Sequence, residues 1–265
     1  MKNLTDILLP IAAEMQQFEA FFDQTLKADT EPMDSIIQYV LETKGKRLRP
    51  ILVLLSAKLF GKVNERTFRA AACVELIHSA TLIHDDVVDD AELRRGKASV
   101  KAHFGNKAAV LAGDYLLAKA VMLLTRSGDN AILQEMLQAA EAMSEGELMQ
   151  DTRPFDRLRD QLRDLNYLDI ITRKTARLMQ SACVSGALSV DARPEQIERI
   201  SDFGLYFGIL FQLRDDILDA ENDVVAKALL PTYLEKTLQS LEQFPDSEFH
   251  EALKSLAVFC AEREE

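Results

Sequence analysis

The sequence predicts an all-α protein, and three observations predict it. Its 265 residues include only 10 Gly and 7 Pro, so the punctuation that many short strands and turns require is scarce. No stretch alternates strongly between polar and apolar residues, while apolar residues recur at three- and four-residue intervals along the chain. No linker, low-complexity tract or short-period repeat divides it. The length suits one large domain or two small ones and can bury a substantial core.

Residues 3 to 27 read as an amphipathic helix, with Leu4, Ile7, Leu8, Ile11, Met15, Phe18 and Phe22 at helical spacing for packing against the body or a partner subunit. Pro32 and Lys44-Gly45 bracket a second helix, and Pro50 falls in the first turn of a third, where its missing N–H does no harm. Lys46, Arg47 and Arg49 therefore stand at a helix N-terminal junction, where backbone N–H groups and the dipole favour an anion. Asn64 caps a long helix running to about Asp90. Gly96 and Gly105 break the chain before a helix over 106 to 126; another runs from Asn130 to Asp151, ended by Pro154, with Met136, Met143 and Met149 as adaptable core. The stretch from Leu158 to Leu188 carries Arg173-Lys174, with Arg177 one turn on. Pro194 opens a helix that passes Gly204 and Gly208 and ends near Asp219. Each of those glycines costs about 1 kcal/mol relative to Ala, so close helix packing or a substrate passage is the expected compensation.

Two of these helices carry the chemistry. Leu82-Ile83-His84-Asp85-Asp86-Val87-Val88-Asp89-Asp90 places Asp85 and Asp89 one turn apart on one stripe, with Asp86 and Asp90 on the stripe beside it. Like charges so placed repel by roughly 0.2–0.5 kcal/mol per pair, so something positive is expected to face them. Carboxylate oxygens suit Mg²⁺, which binds through one or two carboxylates plus substrate phosphates. An isolated acidic helix face is ordinarily just solvated, but Asp215, Asp216 and Asp219 repeat the same DDxxD spacing far along the chain. Two such helices facing each other make a carboxylate cage around one diphosphate.

The net charge of −12 argues against a nucleic-acid surface, so an anionic substrate has to be held by local cations. Cys73, Cys183 and Cys260 lack metal-ligand or CxxC spacing and read as buried small hydrophobes in a reducing cytoplasm. The apolar run from Ile7 to Ala13 is a poor signal peptide, and no uncharged stretch reaches the roughly 18 residues of a membrane span.

With both acidic motifs, the chain resembles the all-trans polyprenyl diphosphate synthases. Supporting signatures occur in that family's order: Gly45-Lys46-Arg47-Leu48-Arg49-Pro50, His78, Arg94-Arg95-Gly96, Gly113-Asp114, Gly146-Glu147, Lys174-Thr175 and Phe211-Gln212. The resemblance implies one domain over residues 1–265, a helical bundle around a deep central cavity, paired as a homodimer. It implies Mg²⁺-dependent head-to-tail condensation of isopentenyl diphosphate with an allylic diphosphate. Asp85, Asp86, Asp89, Asp215, Asp216 and Asp219 are the implied metal residues, and Asp85, Asp89, Lys174 and Asp215 the catalytic ones. Lys46, Arg49, His78 and Arg95 fall to isopentenyl diphosphate, Arg94, Lys174, Thr175 and Lys227 to the allylic diphosphate side, and Gln212 to substrate binding; His84 is left undecided. A terpene cyclase shares the architecture but needs no isopentenyl site, and a non-catalytic subunit of a heteromeric synthase typically loses one acidic motif.

One feature separates this chain from the family pattern, and another separates it from the family's short-chain members. After Asp219, Ala220 to Val225 run directly into Ala226-Lys227-Ala228-Leu229-Leu230-Pro231, which resembles the second Gly-Lys segment of a longer loop, and one lysine of that loop is missing. Short-chain members place a large aromatic four or five residues before the first aspartate, where this chain has Thr81 and Ala80. A tail growing past Thr81, Ala80, Ile77 and Cys73 meets no plug at the first turn, which favours a long product over a farnesyl or geranylgeranyl one.

Overall fold

The computed structural model of the chain describes residues 3–42, 45–150, 167–219 and 223–264. The predicted first helix is broken in two: α1 (Leu4–Leu8) and α2 (Ala12–Leu26) are joined by a 3₁₀ turn over Leu9–Ile11. Pro10 sits in that turn, because a proline inside an α-helix removes a hydrogen bond and clashes with the preceding turn. Ile7, Ile11, Phe18 and Phe22 nevertheless form one buried stripe. α3 (Glu31–Glu42) takes Pro32 in its first turn, and α4 (Leu48–Phe60) takes Pro50 there and buries every residue from Pro50 to Ala57.

α5 (Glu65–Val88) is the long aspartate helix. Asn64 caps it by accepting from the Arg66 and Thr67 N–H groups, while the Thr67 hydroxyl accepts from the Asn64 N–H, a reciprocal capping box. The helix ends at Val88, two residues before the end the acidic run suggests. A short hairpin follows, β1 (Leu93–Arg94) paired with β2 (Lys97–Ala98), where sequence reading placed only a chain break. Its two-residue turn puts both Arg95 (φ 51°) and Gly96 (φ 77°) at positive φ, as a strand-matching tight turn requires.

The remaining helices are α6 (Val100–Phe104), α7 (Asn106–Thr125), α8 (Asn130–Gln150), α9 (Tyr167–Ile171), α10 (Arg177–Ser189), α11 (Pro194–Asp219), α12 (Val224–Leu241) and α13 (Glu248–Glu262). A π-helical turn, Thr172–Ala176, joins α9 to α10. Pro154 and the start of the Leu158–Leu188 stretch lie outside the described residues. Pro231, at the end of the segment that resembles the second Gly-Lys, lies inside α12. α7 is the one described helix long and apolar enough to cross a membrane by length and composition. It carries Lys107, Asp114 and Lys119, and buries Ala109, Ala112, Leu116, Ala120 and Leu124.

α10 stands at the centre, packed by α4, α5, α8 and α11. The two glycines of α11 serve that packing: a Cβ at Gly208 would lie 2.4 Å from the Ala176 Cα, and one at Gly204 2.7 Å from the Gln180 Cα. All three cysteines are buried, and burial pushes each thiol up to about 12, so they behave as the inert core residues expected.

Candidate active site

The four carboxylates of the first motif do not stay together. Asp86 turns inward, 2% exposed, and accepts from the Arg94 Nε at 2.9 Å. Asp90 lies beyond the helix end at φ 54° and pairs with Lys101, which also reaches Glu92 at 3.0 Å. Asp85 and Asp89, one turn apart, are left without an ion pair among the described residues. Burial, then Glu147 and Asp89, push the Asp85 carboxyl up to about 6, against the pull of Lys174 and Arg94. The Lys174 Nζ lies 2.5 Å from Glu147 Oε2. Glu147 belongs to a signature already singled out, but its place beside Asp85 had no signal in the sequence.

A cationic group gathers beside this helix. Arg47 stands at φ 52°, and its side chain turns back to Glu75 (2.7 Å) and Glu19 (3.4 Å), with its guanidinium 4.7 Å from the Phe22 ring centre. The Arg95 guanidinium covers Gly45, where a Cβ would lie 2.6 Å from it. Arg49 is lowered to about 10, mainly by burial, with Glu75 raising it, Arg95 lowering it and Asp215 raising it. His78 is held well below its ordinary value by burial and by Arg49, Arg95, Arg94 and Arg47, so its imidazole is neutral. Arg49 and Arg95 thus gather around His78, with Lys46 exposed on the segment that leads into α4. A cavity behind α5 is lined by Arg47, Glu75, Ser79, Leu82, Asp86 and Arg94.

The second motif is wired to the Lys174-Thr175 pair. The Thr175 hydroxyl donates to Gln212 Oε1 at 2.7 Å, the Gln212 amide donates to Asp216 at 2.8 Å, and the Tyr167 hydroxyl donates to the other Asp216 oxygen at 2.5 Å. Both Lys174 and Thr175 sit in the π turn, a form that recurs at functional sites. Gly146 permits that turn to approach α8: a Cβ there would lie 2.7 Å from the Lys174 backbone nitrogen. Asp215 pairs with Arg263, which follows α13 and stacks 4.3 Å over Phe211; burial still raises the Asp215 carboxyl. Arg263 was not foreseen, since a lone arginine far from any motif gives no sign of its contact. Asp219 is exposed, and Lys227 lies exposed in the first turn of α12.

His84 rests over Gly113, where a Cβ would meet its Nε2 at 2.1 Å, and that nitrogen is 3.2 Å from the Val110 carbonyl, so His84 is a packing residue against α7. Ala80, one turn before His84, has no exposed surface, whereas Thr81, one turn before Asp85, is partly exposed. The side chain that fronts the aspartates is therefore Thr81 rather than Ala80.

The donor set fits a hard divalent cation. Asp85, Asp89 and Asp219 are carboxylates outside any described ion pair, and Asp85, raised mainly by burial and then by Glu147 and Asp89, gains most from a cation beside it.

A family model described as polyprenyl synthetase matches residues 30–228. The octaprenyl diphosphate synthase of Escherichia coli is 36% identical over 83% of this chain and 68% of that protein. The all-trans-nonaprenyl-diphosphate synthase (geranyl-diphosphate specific) of Rhodobacter capsulatus is 37% identical over 82% of this chain and 66% of its own length. The chain thus spans two thirds of these relatives. Among solved structures, a polyprenyl synthase from Caulobacter crescentus, complexed with calcium and isoprenyl diphosphate, superposes with a TM-score of 0.90 at 27% identity, covering 99% of this chain and 98% of that one.

Proposed function

The chain belongs to the polyprenyl synthetase family, and from that premise we propose that it condenses isopentenyl diphosphate head-to-tail onto an allylic diphosphate to make a long-chain trans-polyprenyl diphosphate. The observation that carries the reading is the juxtaposition of two unlike sets of side chains. Asp85 lies beside Glu147 and Lys174, and Arg49 and Arg95 gather around His78, two turns back along α5. A cyclase has no use for the second set.

In this reading Asp85, Asp89 and Asp215 hold Mg²⁺, with Asp219 and Asp216 behind them, and the ion supplies positive charge to the departing diphosphate when bound. Lys174 and Arg94 add direct charge as the allylic C–O bond ionises, stabilising charge where it develops. Arg49, Arg95, Lys46 and neutral His78 hold isopentenyl diphosphate so that its double bond attacks the allylic cation. The new C–C bond leaves a cation that loses a proton to the released diphosphate, so no side-chain base is required. Thr175 and Gln212 orient Asp216, and Lys227 falls to the allylic diphosphate.

The reading includes a single-domain, cytoplasmic enzyme acting as a homodimer. Exposed Val110, Leu111 and Met122 on α7, with Leu137 and Leu148 on α8, give the apolar surface a second copy needs. Purified protein incubated with Mg²⁺, farnesyl diphosphate and labelled isopentenyl diphosphate is expected to yield a ladder ending in a long prenyl chain. Release of a hydrocarbon without use of label points instead to a cyclase.

A further inference from the structure

Between α12 and α13, away from both aspartate motifs in sequence, three side chains meet. Asp246, His250 and Glu251 each bring a ligand atom within 4.8 Å of the others. Ser247 caps α13 by accepting from the His250 N–H at 3.1 Å, which sets Asp246 and His250 one helical turn apart. His250 is 2% exposed, and its Nε2 lies 3.0 Å from the Leu241 carbonyl oxygen. A carbonyl only accepts, so that nitrogen carries the ring proton, and in the neutral ring Nδ1 is a lone pair. Nδ1 is fully buried, has no hydrogen-bond partner among the described residues, and lies 3.5 Å from Asp246 Oδ1. A buried, unpartnered lone pair thus lies beside two carboxylates. Lys254 lies 3.4 Å from Glu251, a loose ion pair between side chains 34% and 57% exposed.

We infer that Asp246, His250 and Glu251 form a binding site for a divalent transition-metal ion of the zinc class, fixing the turn that launches α13. One imidazole nitrogen with two carboxylates suits zinc, whose bonds to such atoms are about 2.0–2.2 Å, whereas Mg²⁺ and Ca²⁺ prefer oxygen alone. A backbone carbonyl on the opposite ring nitrogen is the support that metal-bound histidines ordinarily have. Asp246 is 96% exposed, which gives the ion a way in. The far end of α13 leads to Arg263 and its contact with Asp215, so the ion anchors the helix that reaches the second acidic motif.

The test uses the full chain, stripped of metal and titrated with Zn²⁺ against a competing chromophoric chelator. Because the aspartate motifs can also take Zn²⁺, the comparison is with Asp246→Asn and Glu251→Gln, whose exposed side chains do not hold the fold. Each is expected to lose one tight equivalent of Zn²⁺, by at least tenfold in affinity, and the Zn²⁺-dependent rise in melting temperature, with Mg²⁺-supported turnover unchanged. Imidazole ¹⁵N spectra are expected to show His250 protonated on Nε2 only, with the Nδ1 resonance shifted by Zn²⁺. Equal stoichiometry and affinity in wild type and both variants would overturn the site. So would a His250 ring protonated on both nitrogens and unmoved by Zn²⁺, since the cluster would then be an imidazolium–carboxylate pair.

Discussion

Arg94 donates from Nε to Asp86 at 2.9 Å, and this one ion pair divides the first acidic motif in two. Asp86 becomes the buried anchor of an arginine, Asp90 goes to Lys101, and the stripe of Asp85 and Asp89 is what remains for a cation. The hairpin serves the same end. Arg94 in its first strand points back to α5, and Arg95 in its turn covers Gly45.

The neighbouring arginines should therefore separate in both binding and stability. Arg94→Ala leaves a buried carboxylate unpaired. Its cost is about 2 kcal/mol, less than the about 3–5 of a fully buried pair because Arg94 is 37% exposed. It should also weaken the allylic substrate, and Arg94→Ala with Asp86→Asn should recover most of the melting temperature. Arg95→Ala should leave the melting temperature nearly unchanged and chiefly weaken isopentenyl diphosphate. Equal effects of both single variants on both substrates would contradict this division.

Asp85 predicts an opposite stability effect. A carboxyl raised to about 6 binds its proton more tightly in the folded than in the unfolded chain. Its contribution to stability therefore falls as pH rises from about 4 to about 6, and the cost is complete above that window. Asp85→Asn should melt higher than wild type at pH 7.5 without metal, the difference vanishing near pH 4, while turnover falls by about a hundredfold or more. In wild type, proton and metal compete, so Mg²⁺ should bind progressively more weakly below pH 6. A lower melting temperature at pH 7.5, or unimpaired turnover, defeats the argument.

Glu75 holds Arg47 at 2.7 Å with both side chains at most 10% exposed, and it also raises the basicity of Arg49. Removing its charge should loosen the junction at Arg47 that joins the Lys46 segment to the first turn of α4, where Arg49 sits. Glu75→Gln is expected to raise KM for isopentenyl diphosphate about tenfold, roughly 1.4 kcal/mol, with kcat and the allylic KM little changed. Steady-state kinetics with each substrate varied in turn decide it; a parallel rise for both substrates would make Glu75 merely structural.

What was legible in the sequence followed local rules. The Asn64 cap, the first-turn prolines Pro32 and Pro50, and the periodic helices depend on near neighbours, and the structure keeps them. Gly204 and Gly208 announced close packing, though not that Gly208 would meet the π turn bearing Lys174 and Gly204 the helix that follows it. Contacts between distant residues had no sequence signal. Arg263 on Asp215, Tyr167 on Asp216 and Glu147 on Lys174 depend on how helices cross. The hairpin was missed because its strands are two residues long, too short for any alternation to show. Ala80 was read by its distance from Asp85 alone, and that His84 on its stripe packs against α7 appears only in the structure.

That last difference sharpens the expectation for product length. A tail fixed at Asp85 and Asp89 advances along α5 at about 1.5 Å per residue. The side chain on the same stripe one turn back is Thr81, partly exposed, with its hydroxyl turned onto the His78 carbonyl at 2.9 Å. Ala80 is rotated about 140° from that stripe, in line with His84, and has no exposed surface. An aromatic at Thr81 should fill the path of the tail without disturbing the core, whereas one at Ala80 must be forced into packed side chains at about 1–3 kcal/mol. Thr81→Phe is therefore expected to shift the main product to a short chain at near wild-type melting temperature, with the first condensation spared. Ala80→Phe is expected to lower the melting temperature by several degrees whatever it does to the product. Product sizing alongside thermal melts of both variants separates the two positions: an unchanged long product from a folded, active Thr81→Phe enzyme would show that the chain grows along another face of α5.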